Sequence, residues 1–158
     1  MNATLTPSLH TCKALKDAGF PQDTVLTWIT PTGRAQKPSV SPRGVADRTE
    51  EESAAPTLTE LLAHLPAELA LAVPHPIYGS LERVHTLELS LGHRATIGYH
   101  LVGSHDVQHR VERDSAVEAA AHLFLALHTD GRLDVPVAHG SVHGVLPAEA
   151  VESLARAA

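Results

Sequence analysis

Twelve histidines in a chain of 158 residues make the imidazole the first side chain to consider for chemistry. His105-Asp106-Val107-Gln108-His109 and His139-Gly140-Ser141-Val142-His143 each place two of them four residues apart. On a helix that spacing brings both rings to one side, as zinc sites often require, and Asp106 would add an oxygen ligand. The second pair encloses Gly140 and precedes Gly144, which argues against a helix there. A single cysteine and the lack of a His-Glu-x-x-His pattern exclude a thiolate-rich or metalloprotease centre. Pairs at this spacing also arise by chance in so His-rich a chain. The leading expectation is solvated imidazoles with no cofactor, and the alternative is zinc held by His105, His109 and Asp106.

The remaining reactive side chains read as structural. Cys12 falls on a stripe with Leu9 and Leu15 at three-residue spacing, where a small buried thiol packs as a hydrophobe. A reactive thiolate needs exposure and a cationic neighbour, whereas His10 and Lys13 diverge from Cys12 around the helix. No Gly-x-Ser-x-Gly elbow, phosphate-binding glycine loop or dinucleotide fingerprint occurs. The carboxylates Glu50 to Glu52, and Glu149 with Glu152, lie in segments that read as solvated. No catalytic residue is therefore assigned, and the reading leans away from an enzyme. Trp28 and Tyr99 fall on expected strands and could stack bases. They lack an interleaved basic set, and the formal charge of −6 repels phosphate, so nucleic acid is not the expected partner. Tyr99 reads as core. Trp28 shares a strand face with Leu26 and reads as a rim or contact residue.

These residues must be held by elements whose punctuation is clear. Thr6 and Pro7 suit the start of a first helix that Gly19 ends and Phe20-Pro21 cannot continue. Val25 to Thr30 follows as a strand. Residues 34–55 carry Pro, Ser, Gly and charge with few apolar side chains and are expected to form a mobile polar loop. Thr57-Leu58-Thr59-Glu60 and Ser115-Ala116-Val117-Glu118 are capping boxes. The first opens a short helix ending at Pro66. The second opens a helix to about Leu127 with Val117, Ala120, Ala121, Phe124 and Leu127 facing inward. Between them lies a strand at Glu68 to Val73, then a hairpin. Its three-residue turn, Gly92-His93-Arg94, pairs Leu91 with Ala95, Leu89 with Ile97 and Leu87 with Tyr99. A two-residue turn would put the two apolar rows on opposite faces.

The expected fold class is α+β: an antiparallel sheet of three to four strands with helices packed on one face, in the order α-β-α-β-β-β-α. Residues 1–131 form a single domain, and 132–158 form a loosely packed extension with a short helix from Pro147. Hydrophobic residues at 43 % suffice for a core, while aromatics at 3 % leave it built from Leu, Val and Ala. One cysteine allows no intrachain disulfide. No apolar run reaches the ~20 residues of a membrane span, and Met1 to Pro7 has no leader character, so a cytoplasmic location is expected.

Three stretches resemble small phage- and prophage-encoded α+β proteins of unassigned function: Cys12-Lys13-Ala14-Leu15-Lys16-Asp17-Ala18-Gly19-Phe20-Pro21-Gln22, Pro56-Thr57-Leu58-Thr59-Glu60-Leu61-Leu62, and Ser115 to Leu127. They cover a minor part of the chain, which departs from that group in the polar loop and in the tail after Gly131. The resemblance implies a mobile-element accessory protein and brings no catalytic residues. With the negative evidence above, it leads to a non-enzymatic accessory or protein-binding protein, with a protein partner or a homo-oligomer. Trp28 and the apolar C-terminal positions Val151 and Leu154 are the expected contacts. The alternatives are a His-dependent metal-binding protein or weak hydrolase, and a regulator that resembles HicB-like antitoxins in its hairpin followed by a capped helix.

Overall fold

The computed structural model describes residues 5–31, 37–44, 50–101, 103–104 and 107–133. In chain order these form α1 (Leu9–Asp17), β1 (Leu26–Pro31), β2 (Ser39–Pro42), β3 (Glu50–Ala54), α2 (Leu58–Ala63), β4 (Glu68–His75), β5 (Gly79–Leu91), β6 (Ala95–Leu101), β7 (Val107–Arg113) and α3 (Ala116–Thr129). The fold is α+β with two antiparallel sheets, one ordered β2-β1-β3 and the other β4-β5-β6-β7. The expected order of elements survives as a skeleton to which β2, β3 and β7 are added.

Helix α1 begins two residues later than its sequence suggests. Ser8 is the N-cap, its Oγ accepting the Thr11 N–H at 3.2 Å, and Thr6 is buried instead. The carbonyl of Pro7 has other donors: the Trp28 indole at 3.0 Å and the Cys12 thiol at 3.6 Å. The C-terminus is as expected. Gly19 takes φ +78°, so Phe20 N–H reaches Leu15 O at 2.9 Å and Gly19 N–H reaches Lys16 O at 3.0 Å. This motif satisfies carbonyls that the helix end would otherwise orphan and turns Phe20 back into the core.

Within 34–55, Ser39–Pro42 and Glu50–Ala54 are strands on either side of β1, where a polar loop was expected. Low apolar content misled because these strands need little of it. Thr27 and Ile29 of β1 are buried, and β3 contributes the small buried side chains Ser53 and Ala54 against which α1 packs.

The second hairpin has the expected register: Leu91 pairs with Ala95, Leu89 with Ile97 and Leu87 with Tyr99. Ile97 and Tyr99 are fully buried under α3. Seven of the eleven residues of α3 from Val117 to Leu127 are buried, including Ala119 and Leu123, which one inward face does not predict. The reason is position. The helix lies on β6 and β7 with α1 and α2 also against it, and a helix packed on more than one side carries a wider apolar face. The aromatic rings join these layers, with Phe20 edge-on to both Phe124 and His64 at 5.1 Å. The Tyr99 hydroxyl donates to Pro66 O at 2.7 Å, tying β6 to the α2–β4 connection.

Candidate interaction site

The two glutamates at the third position of α2 and α3 do more than cap their own helices. Glu60 completes its box: Thr57 Oγ1 accepts the Glu60 N–H at 3.3 Å, and Glu60 Oε2 accepts the Thr57 N–H at 2.7 Å. Its other oxygen takes the Val25 N–H at 2.9 Å, anchoring the entry to β1. Partial burial alone would raise this carboxyl. The Thr57 and Val25 donors outweigh burial and hold it below its ordinary value of 4.5. Glu118 departs from the expected box. Ser115 Oγ accepts the Glu118 N–H at 3.3 Å, but the carboxylate reaches across to α1, accepting the Ser8 N–H at 3.0 Å and the Thr11 and Ser8 hydroxyls. A carboxylate at a helix N-terminus meets orphan N–H groups and the positive end of the dipole.

His122 stands 3.6 Å from Glu118, so Ser, Thr, Glu and His meet at one place. Their order is wrong for nucleophilic catalysis. A triad sends the hydroxyl proton to an imidazole that a carboxylate orients, whereas here both hydroxyls donate directly to the carboxylate. Burial first, and then Arg113, lower the basicity of His122 against the pull of Glu118. Cys12 is buried, and desolvation pushes its thiol up to about 12. That agrees with a packing role and not a nucleophilic one.

Of the expected metal ligands, His105 and Asp106 lie outside the described residues, as do His139 and His143. His109 is on β7, in a strand, and its Nδ1 is 3.5 Å from Asp130 Oδ2 at the end of α3. Among the described residues no group of three or more His, Cys, Asp or Glu side chains is placed to hold a metal ion. Val151 and Leu154 also lie outside the described residues. Trp28, expected at a contact rim, is half-buried with its indole N–H committed to Pro7 O. Two shallow clefts flank the smaller sheet. One, of about 340 Å³, is lined mainly by Leu5, Leu26, Leu58 and Val117 and offers no titratable group. The other, of about 220 Å³, is polar, and its Arg43 is already paired with Asp23.

Of the six exposed large apolar side chains among the described residues, Ile77, Tyr78 and Val84 lie on one arm, and Leu5, Val25 and Leu91 lie off it. Strand β5 pairs with β4 over Gly79–Thr86 but with β6 only from His85 onward. Among the described residues, the outer half of the β4–β5 hairpin is therefore a two-stranded arm. At its tip Ile77 is 78 % exposed and Tyr78 is 70 % exposed, with Val84 further down the arm also exposed. The tip has a defined shape. His75 Nδ1 accepts the N–H groups of Ile77 and Tyr78, each at 3.3 Å, which leaves the ring proton on Nε2. The His75 and Tyr78 rings stack at 5.0 Å with 24° between their planes. Gly79, at φ +74°, allows the chain to turn into β5.

Sequence reasoning passed over this tip because Pro74-His75-Pro76 reads simply as a strand end. A usable signal was present in Ile77-Tyr78 between proline and glycine, since turns are ordinarily filled with small or polar residues. Also overlooked was His85, which is wholly buried on β5. Its Nδ1 lies 3.0 Å from Arg83 O, and its Nε2 has no partner among the described residues. No helix among the described residues is long and apolar enough to cross a membrane. No protein-family model, curated protein or solved structure gives a significant match to the chain.

Proposed function

We propose that this chain is a non-enzymatic protein-binding protein that engages its partner through the tip of the β4–β5 arm. One observation carries the reading: two adjacent large apolar side chains, Ile77 and Tyr78, stand in solvent on a turn held by its own hydrogen bonds and ring stacking. Tyrosine is favoured at interfaces because its ring supplies large contact area with few rotors, while the hydroxyl remains a polar handle. A pre-shaped tip loses little freedom on binding, which favours affinity from a small area. An accessory role in a phage or other mobile element is part of the proposal and rests on the sequence resemblance alone.

The test is quantitative affinity capture from the source cells using the full chain and its Ile77→Ser/Tyr78→Ser variant. The expected result is one stoichiometric protein retained by the parent chain and depleted at least about tenfold in the variant, the loss of about 1.4 kcal/mol or more that truncating an anchor brings. Equal recovery by both chains would overturn the reading. Circular dichroism of the variant must match the parent, because neither side chain belongs to the core.

A further inference from the structure

We infer that β4 is a dimerisation edge, pairing antiparallel with β4 of a second copy of this chain to join the two four-stranded sheets into one of eight strands. This goes beyond the hairpin-tip reading and stands independently of it.

The two sheets end in four strands, and three of them carry features that discourage further pairing. Strand β2 has four residues and ends in Pro42, and β3 begins with the run Glu50-Glu51-Glu52. Strand β7 is bulged, with a register shift opposite Ile97 to Tyr99 and His109 at φ +50°, and it carries Arg110, Glu112 and Arg113. Such devices are how proteins keep a sheet edge from recruiting another strand. Strand β4 has eight residues, Glu68 to His75, paired with β5 without a register shift. It carries no charged residue from Leu69 to Pro74, and among the described residues no strand lies on its outer side. An edge left this open is one that another strand can occupy.

The hydrogen-bond phase of the ladder shows which groups are on offer. Leu87 N–H donates to Ala67 O at 2.9 Å, one step before the Glu68–Thr86 pair. Bonded and non-bonded pairs alternate along an antiparallel ladder. Odd-numbered residues of β4 therefore face β5, while Glu68, Ala70, Ala72 and Pro74 direct their backbone groups outward. Ala70 and Ala72 are exposed. A twofold axis at Leu71 sets Ala70 of one copy against Ala72 of the other, each pair exchanging two hydrogen bonds, and sets Glu68 against Pro74. In that register the proline, which has no N–H, falls at the end of the ladder, where it forfeits least. No like charges meet, although each chain carries −6. The contact uses the same surface on both copies and so closes at two. The two arms run in opposite directions, and their tips lie at opposite ends of the pair.

Sedimentation equilibrium on the full chain, over a wide concentration range, tests this together with amide hydrogen exchange. The expected result is a species of twice 16.8 kDa, with the amides of Ala70 and Ala72 protected at high concentration and exchanging freely on dilution. Ala72→Pro removes an outward N–H that β5 does not use, at both symmetric positions, and should weaken the dimer about 30-fold or more. Ala72→Lys, a gatekeeping charge with no backbone constraint, should do the same if the proline variant folds poorly. Tyr78→Ser should leave the mass unchanged, which separates this inference from the tip reading. A parent chain that sediments at 16.8 kDa at every concentration overturns it. A dimer unaffected by Ala72→Lys, or one with Ala70 and Ala72 amides that exchange at every concentration, overturns it as well.

Discussion

At the scale of single residues, two glutamates carry long-range structure. Glu118 holds the start of α1 from a position 110 residues away. Glu118→Gln keeps the shape but replaces charge-assisted bonds with weaker ones, and it should cost about 1–2 kcal/mol in chemical denaturation. Glu60 also has a pH signature. Its carboxyl is held below 4.5 when folded, so its contribution is fully present above that value and is lost as pH falls through the folded value. A Glu60→Gln chain should show a flatter stability profile below pH 4.5 than the parent. His122 gives the opposite kind of group with the same slope. Its basicity is lowered by burial, so the unfolded chain binds the proton first, and stability falls as pH drops below the ordinary 6.5. His122→Gln should remove that part of the acid sensitivity. The Glu60 box was legible in Thr57-Leu58-Thr59-Glu60 because both halves are local. The destination of the Glu118 carboxylate was not, because its acceptor role is decided by a helix end far away in sequence.

At the scale of elements, the β5–β6 hairpin was readable residue for residue, since only one turn length buries Leu87, Leu89, Ile97 and Tyr99 together. The bulge in β7 was not. It depends on Gly98, where a Cβ would stand 3.0 Å from Val107 Cγ1 and 3.1 Å from Arg110 Cα. The strand comes this close only because Gly98 has no side chain. Gly98→Ala should therefore destabilise by about 1–3 kcal/mol, read from the denaturation midpoint. Ile97→Ala, beneath α3, should cost about 2–5 kcal/mol. Strands β2 and β3 escaped the sequence reading for a related reason. Short strands of Ser, Pro and Glu acquire their state from pairing with β1, and a window of sequence does not contain that partner.

At the scale of the whole molecule, α3 is the shared surface. It touches β6, β7, α1 and α2, so the fold should lose its helices and its larger sheet together. Phe124→Ala removes the ring that meets Phe20 and should cost about 3–5 kcal/mol, with far-UV and near-UV transitions still coincident. The α+β class was legible from capped helices around an alternating hairpin. The division into two sheets was not, because the smaller one exists only through the pairing of β1 with β2 and β3, two strands without a sequence signature of their own. The contact residues expected from sequence were Trp28, Val151 and Leu154. Trp28 is half-buried with its indole N–H bonded to Pro7 O, and Val151 and Leu154 lie outside the described residues. The exposed Ile77 and Tyr78 stand at an arm tip whose Pro76 and Gly79 read as a loop.

The most direct measurement of the central claim is site-specific photocrosslinking with a benzophenone amino acid at Tyr78, compared with the same probe at Leu91, which is equally open at 72 % but lies at the other hairpin turn. One discrete heterologous adduct is expected from position 78 in source-cell extract and none from position 91. Equal adducts from both positions, or none from position 78, would contradict it.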